Sequence, residues 1–388
     1  MARLAQPLDP SRTGAAAADL ERNLTRLIVG QEEAVREIVS IYQMHLTGLN
    51  PPGRPVGNLL FLGPTGTGKT RIVEATAESL VGNARAVIKL DCGEFQHSHE
   101  IAKLIGSPPG YLGHRETHPL LSQEVLNQHH TEQNRISFVL FDEIEKASDS
   151  LWNLLLGILD KATLTLGDNR RVDFSRAMIF LTSNLGAAEM SSIMNPRLGF
   201  GVHSGTKPVE LDDGMTAKIS RAGTAAARRK FTPEFVNRLD KIVVFKPLGR
   251  RELREVLDIE LGLVQNRVLS APDPENHFVF QVSESARDHL LHEGTDMKYG
   301  ARHLKRAIER LLVQPISNLV ASGQVHGGDL IRVDFDNGRS TLSFFREREG
   351  LEIDQMAAIV DIDSESFRAL AVAVRAGSRN AAGNGTAV

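Results

Sequence analysis

Cysteine is almost missing: Cys92 is the only one in 388 residues. A single thiol can close no internal disulfide and supply no multi-cysteine zinc site, so neither device is available to hold this fold. Aromatic residues are few, at 5%, and no apolar run approaches the ~20 residues of a helical membrane span. The first residues lack the apolar stretch of a secretory signal, so a cytoplasmic protein away from membranes is expected. An excess of one charge is missing too. Lys plus Arg number 45 and Asp plus Glu 48, a formal net charge of −3, which gives no overall electrostatic pull toward nucleic acid. The 13 histidines show no metal-ligand spacing. His129 and His130 are adjacent in a polar stretch and read as solvated surface.

What is present suffices for ordinary cores. Hydrophobic residues make up 41% and charged residues 24%, and the length suits two or three domains. Helical spacing of Leu20, Leu24 and Leu27 predicts a helix from about Ser11 to Leu27, and a second follows from about Gln31 to Leu46. Short apolar runs then alternate with helical patterns. The runs 58–62, 86–91, 137–142, 177–182 and 241–245 read as buried parallel strands, an α/β arrangement covered by helices on both faces. Beyond Pro247 the pattern becomes α+β. Helices are expected over 251–270 and from Ala301, the latter kinked by Pro315. A strand and helix are expected over 278–292, and strands over 330–335 and 341–345 are expected to join across Asn337 and Gly338. The resulting division is a flexible segment at 1–20, a large domain at 21–247, a small domain at 248–346 and a tail at 347–388, disordered at its end. One long polar segment, about 204–229, reads as a loop within the large domain, either used or disordered.

Gly63, Pro64, Thr65, Gly66, Thr67, Gly68, Lys69 and Thr70 form a complete G-x-x-x-x-G-K-[ST] motif between a strand and a helix. Backbone N–H groups of such a loop cradle phosphate oxygens, and glycines let the backbone come close enough. Lys69 reaches the β- and γ-phosphates, and Thr70 is a Mg²⁺ ligand. The strand 138–142 ends in two carboxylates. Asp142 suits the Mg²⁺ shell, and Glu143 suits a general base that polarises the attacking water. The two motifs together predict an NTPase using Mg²⁺, with ATP as the expected nucleotide, but do not separate a switch, a pump and a translocase.

Further segments narrow the class. They are Ile28 to Gln31, Leu104 to Gly113, Asp142 to Lys146, Leu181 to Gly186, Phe231 to Asp240 and Gly300 to Arg302. In this order the chain, from about Leu24 to Phe345, resembles the second ATPase module of Clp-type AAA+ protein unfoldases and disaggregases, with its C-terminal small domain. The resemblance implies that Val29 contacts the nucleotide and that Asn184 is the sensor that positions the water. It implies that Arg238 is an arginine finger reaching the ATP of a neighbouring subunit, and that Arg302 is a second sensor over the phosphates. A surface pairing of Arg238 with Asp240 is the plain alternative. An arginine supplied in trans implies a homo-oligomer, in the family pattern a hexamer. Gly110, Tyr111, Leu112 and Gly113 match a pore loop that grips polypeptide, although the chain continues with His114 to Thr117 where the family often carries an aromatic and acidic residues. Leu198, Gly199 and Phe200 resemble the tripeptide by which some Clp unfoldases dock on a ClpP-type peptidase, with packing on its own domain as the alternative.

The resemblance therefore implies one ring's worth of a motor that unfolds and threads polypeptides, alone as a chaperone or with a peptidase or adaptor. An AAA+ nucleic-acid motor or loader is the alternative. Its only basic runs, 228–230 and 250–251, are short and read as solvated faces. A nucleotide-binding scaffold without turnover fits poorly with the complete set of catalytic residue types.

Overall fold

The structure, a computed structural model, describes residues 9–10, 12–107, 118–194, 213–295 and 300–360. It divides into two compact units at Gly249 and Arg250. In the first, α1 (Ala15–Leu27) and α2 (Glu32–Leu46) precede β1 (Gly57–Leu62), α3 (Lys69–Val81) and β2 (Val87–Asp91). The short helices α4 (Ala102–Ile105) and α5 (Gln123–Asn127) lead to β3 (Ser137–Asp142) and α6 (Asp149–Lys161). A small hairpin, β4 (Thr163–Thr165) and β5 (Arg171–Asp173), comes before β6 (Ala177–Ser183). Then follow α7 (Ala187–Met194), α8 (Asp213–Lys230), α9 (Pro233–Val236) and β7 (Lys241–Val244).

Five strands form one parallel sheet in the order β2-β3-β6-β1-β7. Parallel strands need crossovers, and the helices of those crossovers cover both faces, which is why the inner strands are written almost wholly in apolar residues. Every residue of β1 and β6 is buried. Side chains alternate between two cores, as the period of a strand requires. Leu59 and Phe61 of β1, Phe138 and Leu140 of β3 and Phe180 of β6 belong to the core that includes Leu20, Leu24 and Ile38 of α1 and α2. Leu60, Leu62, Val139, Phe141 and Leu181 belong to the other, with Leu155 and Ile158 of α6. The sheet thus delivers the ends of β1, β3 and β6 to one edge, the crevice where open α/β sheets bind ligands.

Several expectations are corrected here. Residues 15–20, counted with a flexible segment in the domain division, belong to the helix expected up to Leu27, and Ala17 and Leu20 are buried. The polar stretch 204–229 is from Asp213 onward the helix α8. Its inner face is Ile219, Gly223, Ala226 and Ala227, small enough for Met190 and Val244 to pack within 3.1 Å of where a Cβ on Gly223 would stand. His130 is half-buried, its Nε2 2.9 Å from the Ser137 hydroxyl of β3, and burial lowers its pKa.

The second unit is a smaller α+β domain. It contains α10 (Arg250–Leu269), β8 (Val279–Val282), α11 (Glu284–Gly294), α12 (Ala301–Ile308), α13 (Gln314–Ala321), β9 (Leu330–Asp336), β10 (Thr341–Arg348) and α14 (Ile353–Ile359). β9 is central, antiparallel to β10 and parallel to β8. Pro315 does not break its helix. A π-helical stretch, Glu309–Val313, joins α12 to α13, and widening the preceding turn accommodates the missing N–H and the proline ring. The β9–β10 connection is longer than an Asn-Gly turn, and its left-handed residue is Ser340, not Gly338. The stretch beyond residue 346 is not all tail: Met356 and Ala357 of α14 are buried with Leu269, Val279 and Leu330.

Candidate active site

The phosphate loop runs from the end of β1 into α3. Gly63, at φ 143°, has no space for a side chain, since a Cβ there would lie 2.6 Å from the Phe245 carbonyl oxygen. Gly66 and Gly68 also have positive φ, which glycine alone adopts without strain. The Thr67 hydroxyl donates to the Pro64 carbonyl at 2.9 Å and closes the loop on itself. Gly68 caps α3 with no side chain across its first turn, leaving a helix N-terminus suited to an anion.

Lys69, 7% exposed, turns its ammonium inward. Nζ donates to the carbonyls of Gly63 at 2.6 Å and Pro64 at 2.8 Å, and to Asn184 Oδ1 at 3.0 Å. Asn184 Nδ2 in turn donates to Glu143 Oε1 at 3.2 Å. One carboxamide therefore bridges the loop cation and the carboxylate beyond β3, with its oxygen toward the cation and its nitrogen toward the anion. Thr65 Oγ1 lies 3.4 Å from the same Asn184 oxygen. The structure brings together four sequence-derived candidates, Thr65, Lys69, Glu143 and Asn184.

Asp142 and Glu143 are set by a residue that the sequence reading left without a role. Thr182, on the neighbouring strand β6 and 1% exposed, donates its hydroxyl to Asp142 and accepts the Glu143 N–H at 3.1 Å. Glu143 needs that support, because its φ of 55° is left-handed, a costly conformation for a residue with a side chain. Glu145 accepts the Asn184 N–H at 3.1 Å. Lys146 pairs with Glu143, and that hydrogen bond and charge raise the Lys146 pKa. Residues such as Thr182 leave one weak sequence signal: a hydroxyl on an otherwise apolar strand that is too buried to be solvated.

Carboxylates gather at the ends of β2 and β3. Burial, and behind it the carboxylates of Asp142, Asp91, Glu145 and Glu143, push the Cys92 thiol far above its ordinary range. Among the described residues no cluster of three or more His, Cys, Asp or Glu side chains forms a metal cage. The Asp142 carboxylate at the end of β3 and the Thr70 hydroxyl in the first turn of α3 are oxygen donors of the kind Mg²⁺ takes, which is commonly held by one or two protein oxygens together with substrate phosphates. Asp142 and Thr70 are the residues that could hold it.

Other candidates are placed separately. Val29 is half-buried on the connection between α1 and α2. Arg238 does not pair with Asp240. That carboxylate accepts the Asn58 N–H at 2.8 Å and lies 3.6 Å from Arg54. The Arg238 side chain instead meets Glu234 at 2.8 Å and Asp160 at 3.8 Å. Arg302 is exposed on the first turn of α12 in the second unit. Gly110, Tyr111, Leu112 and Gly113, like Leu198, Gly199 and Phe200, lie outside the described residues.

A glycine-rich loop between β1 and α3, facing acidic and amide groups from β3 and β6 on a parallel sheet, defines a P-loop nucleotide-binding protein. Comparison with known proteins narrows this. Residues 54–242 match the AAA domain (Cdc48 subfamily), and residues 248–333 match the C-terminal, D2-small domain of ClpB protein. The chain is 37% identical over 309 residues to the chaperone protein ClpB of Meiothermus ruber, covering 80% of this chain and 33% of that one. It is 36% identical over 317 residues to the ATP-dependent Clp protease ATP-binding subunit ClpC of Staphylococcus aureus, covering 82% and 36%. A closed-state cryo-EM structure of Hsp104 with ATPγS and FITC-casein superposes with a TM-score of 0.67 at 26% identity, over 84% of this chain and 51% of that chain. The chain belongs to the Clp-type AAA+ family, and its first unit is an AAA+ ATPase domain. It spans about a third of the length of the ClpB and ClpC relatives. No helix among the described residues is long and apolar enough to cross a membrane.

Proposed function

We propose that this chain hydrolyses ATP to drive protein remodelling, unfolding polypeptides and threading them through the pore of a homo-oligomeric ring, a hexamer by the family pattern. The observation that carries the ATPase part is the bridge from Lys69 through the Asn184 carboxamide to Glu143. It joins the Lys69 ammonium and the Glu143 carboxylate through one amide, which supports giving phosphate binding to the first and proton acceptance to the second.

In this reading Lys69 and the loop N–H groups hold the β- and γ-phosphates. Asn184 positions the attacking water against Glu143, whose carboxylate takes its proton as the oxygen attacks phosphorus. Thr70 and Asp142 would hold Mg²⁺, which would supply positive charge to neutralise the transferring phosphoryl group. Arg238 of one subunit stabilises that charge at the neighbour's site, and Arg302 acts over the phosphates from the small domain. Val29 lies against the nucleotide. Tyr111, between Gly110 and the pair Leu112 and Gly113, grips the substrate chain.

Relatives support two versions, since one is named a chaperone and another the ATP-binding subunit of a protease. Leu198, Gly199 and Phe200 would dock a ClpP-type peptidase in the second, and an adaptor would supply substrates in either. The basic runs that a nucleic-acid motor would use are short and lie beside carboxylates: Arg229 meets Glu189 at 3.1 Å, Arg251 meets Glu255 at 3.4 Å and Arg250 lies 3.8 Å from Asp288. A cytoplasmic location fits this role.

The test is ATP-dependent loss of fluorescence from a stably folded fluorescent protein carrying an unstructured tail. Wild-type chain is expected to unfold it. Tyr111→Ala is expected to hydrolyse ATP without unfolding, and Glu143→Gln to bind ATP while turnover falls by about 10²–10⁴-fold. Unfolding that survives Tyr111→Ala contradicts the threading assignment.

A further inference from the structure

Gln31 is 4% exposed at the N-cap of α2, yet its side chain makes no cap hydrogen bond. Its carboxamide is turned to two distant segments. Nε2 donates to the Thr67 carbonyl of the phosphate loop at 3.2 Å and to the Lys246 carbonyl at 2.9 Å. Oε1 accepts the Lys246 N–H at 3.0 Å. Both amide hydrogens and the amide oxygen are therefore in use.

The reason lies in the end of β1. Phe245 still pairs with that strand, its N–H donating to Leu62 at 2.7 Å. At Gly63 the chain turns away into the phosphate loop, and the next residue, Lys246, has lost its strand partner. A carboxamide carries the same donor and acceptor as a peptide group, so Gln31 pairs with both backbone groups of Lys246 in place of the departed strand. Its second N–H fixes the Thr67–Gly68 peptide. In a trans peptide the C=O and N–H point opposite ways, so holding the Thr67 oxygen turns the Gly68 N–H away from Gln31 and leaves it for another partner. Lys246 lies three residues before Gly249, where the first unit ends. The loop meets this segment at a second point as well, through the close approach of Gly63 to the Phe245 carbonyl.

We infer that Gln31 is a positioning residue that sets the Thr67–Gly68 peptide for phosphate and ties the phosphate loop to the segment entering the second unit, so that nucleotide at the loop is felt at Lys246. This rests on the ATP-binding reading of the loop. It assigns no contact with substrate to Gln31; the residue acts through two backbone segments.

Hydrogen–deuterium exchange of the full chain, with and without ATPγS, tests it. In wild type, ATPγS is expected to slow exchange in residues 63–70 and also in 245–249. In Gln31→Leu, similar in size but without polar atoms, the loop is expected to keep some protection while the change at 245–249 disappears. The affinity for ATPγS is expected to fall about tenfold, equivalent to ~1.4 kcal/mol. Gln31→Glu, which keeps the acceptor for Lys246 and loses both donors, is expected to retain part of the response at Lys246 and serves if the leucine variant does not fold. A folded variant with the wild-type change at 245–249 overturns the inference, as does wild-type chain in which the loop is protected and 245–249 is unaffected. No protection of 63–70 by ATPγS in wild type would instead overturn the ATP-binding reading itself.

Discussion

The two edges of the parallel sheet hold their functional candidates in opposite ways. At the carboxyl edge the side chains are fixed and hold one another. Lys69 is bound by loop carbonyls and Asn184, Asn184 by Glu143 and Glu145, and Asp142 by Thr182. At the amino edge a buried amide and a guanidinium hold the backbone, and the side chain is held by carboxylates that face solvent. The Arg238 carbonyl accepts from the buried Asn58 amide at 3.2 Å and from Arg54 at 2.9 Å. Its guanidinium, on a side chain 22% exposed, meets among the described residues Glu234 and Asp160, whose side chains are 63% and 46% exposed. Exposed pairs contribute about 0–1 kcal/mol, so they are exchanged readily. A group that works within its own site benefits from rigidity, whereas one that works on a neighbour needs an anchored root and a side chain able to change partner.

Arg238→Ala would give the largest effect. Turnover in the assembled protein is expected to fall by about 10³–10⁵-fold, while the melting temperature stays near wild type because the backbone anchors remain. Mixing this variant with Glu143→Gln makes the comparison sharper. The first has an intact site and the second an intact arginine, so mixed rings should regain measurable ATPase activity. No recovery would place the action of Arg238 inside its own subunit and end the contrast between the edges.

Thr182→Val probes the rigid edge at closer range. Valine keeps the shape but loses both hydrogen bonds, to Asp142 and from Glu143. Groups that orient a metal ligand typically account for about 10–100-fold in metal affinity. The Mg²⁺ concentration for half-maximal ATPase activity should therefore rise by at least about tenfold, and Thr182→Ser should restore it. An unchanged Mg²⁺ requirement would show that Asp142 is oriented without Thr182.

Legibility in the sequence followed the same division. The carboxyl edge could be read because its parts are local. A loop that cradles phosphate needs Gly63, Gly66 and Gly68 at fixed spacing, and a buried strand ending in Asp142 and Glu143 is conspicuous against its apolar run. The strands could be read for a related reason: burial on both faces makes β1 and β6 nearly continuous apolar segments. Asn184 and Gln31 stood in segments that marked the family, but the long-range bonds of Gln31 and Thr182 left little trace. Gln31 is 36 and 215 positions from its two partners, and Thr182 is 40 from Asp142. Helix α8 was hidden by its own packing. Close approach to Met190 and Val244 selects Gly223, whose buried neighbours on the face include Ala226 and Ala227, and such small residues carry too little hydrophobicity to mark a buried face.

The smallest expected effect is the most discriminating for Arg238. Glu234→Gln removes the charge that holds Arg238 at 2.8 Å and leaves the helix and its Thr232 cap in place. An exposed i,i+4 pair contributes about 0.3–0.5 kcal/mol, so the melting temperature should barely move. If the pair restrains the arginine in the free subunit, losing it should lower the protein concentration for half-maximal ATPase activity by roughly twofold, the equivalent of that energy. ATPase activity measured across a dilution series reads this shift directly. A fall in turnover at saturating protein would mean that Glu234 guides Arg238 rather than detaining it. The amino edge would then be as organised as the carboxyl edge, with its side chains set before any neighbour arrives.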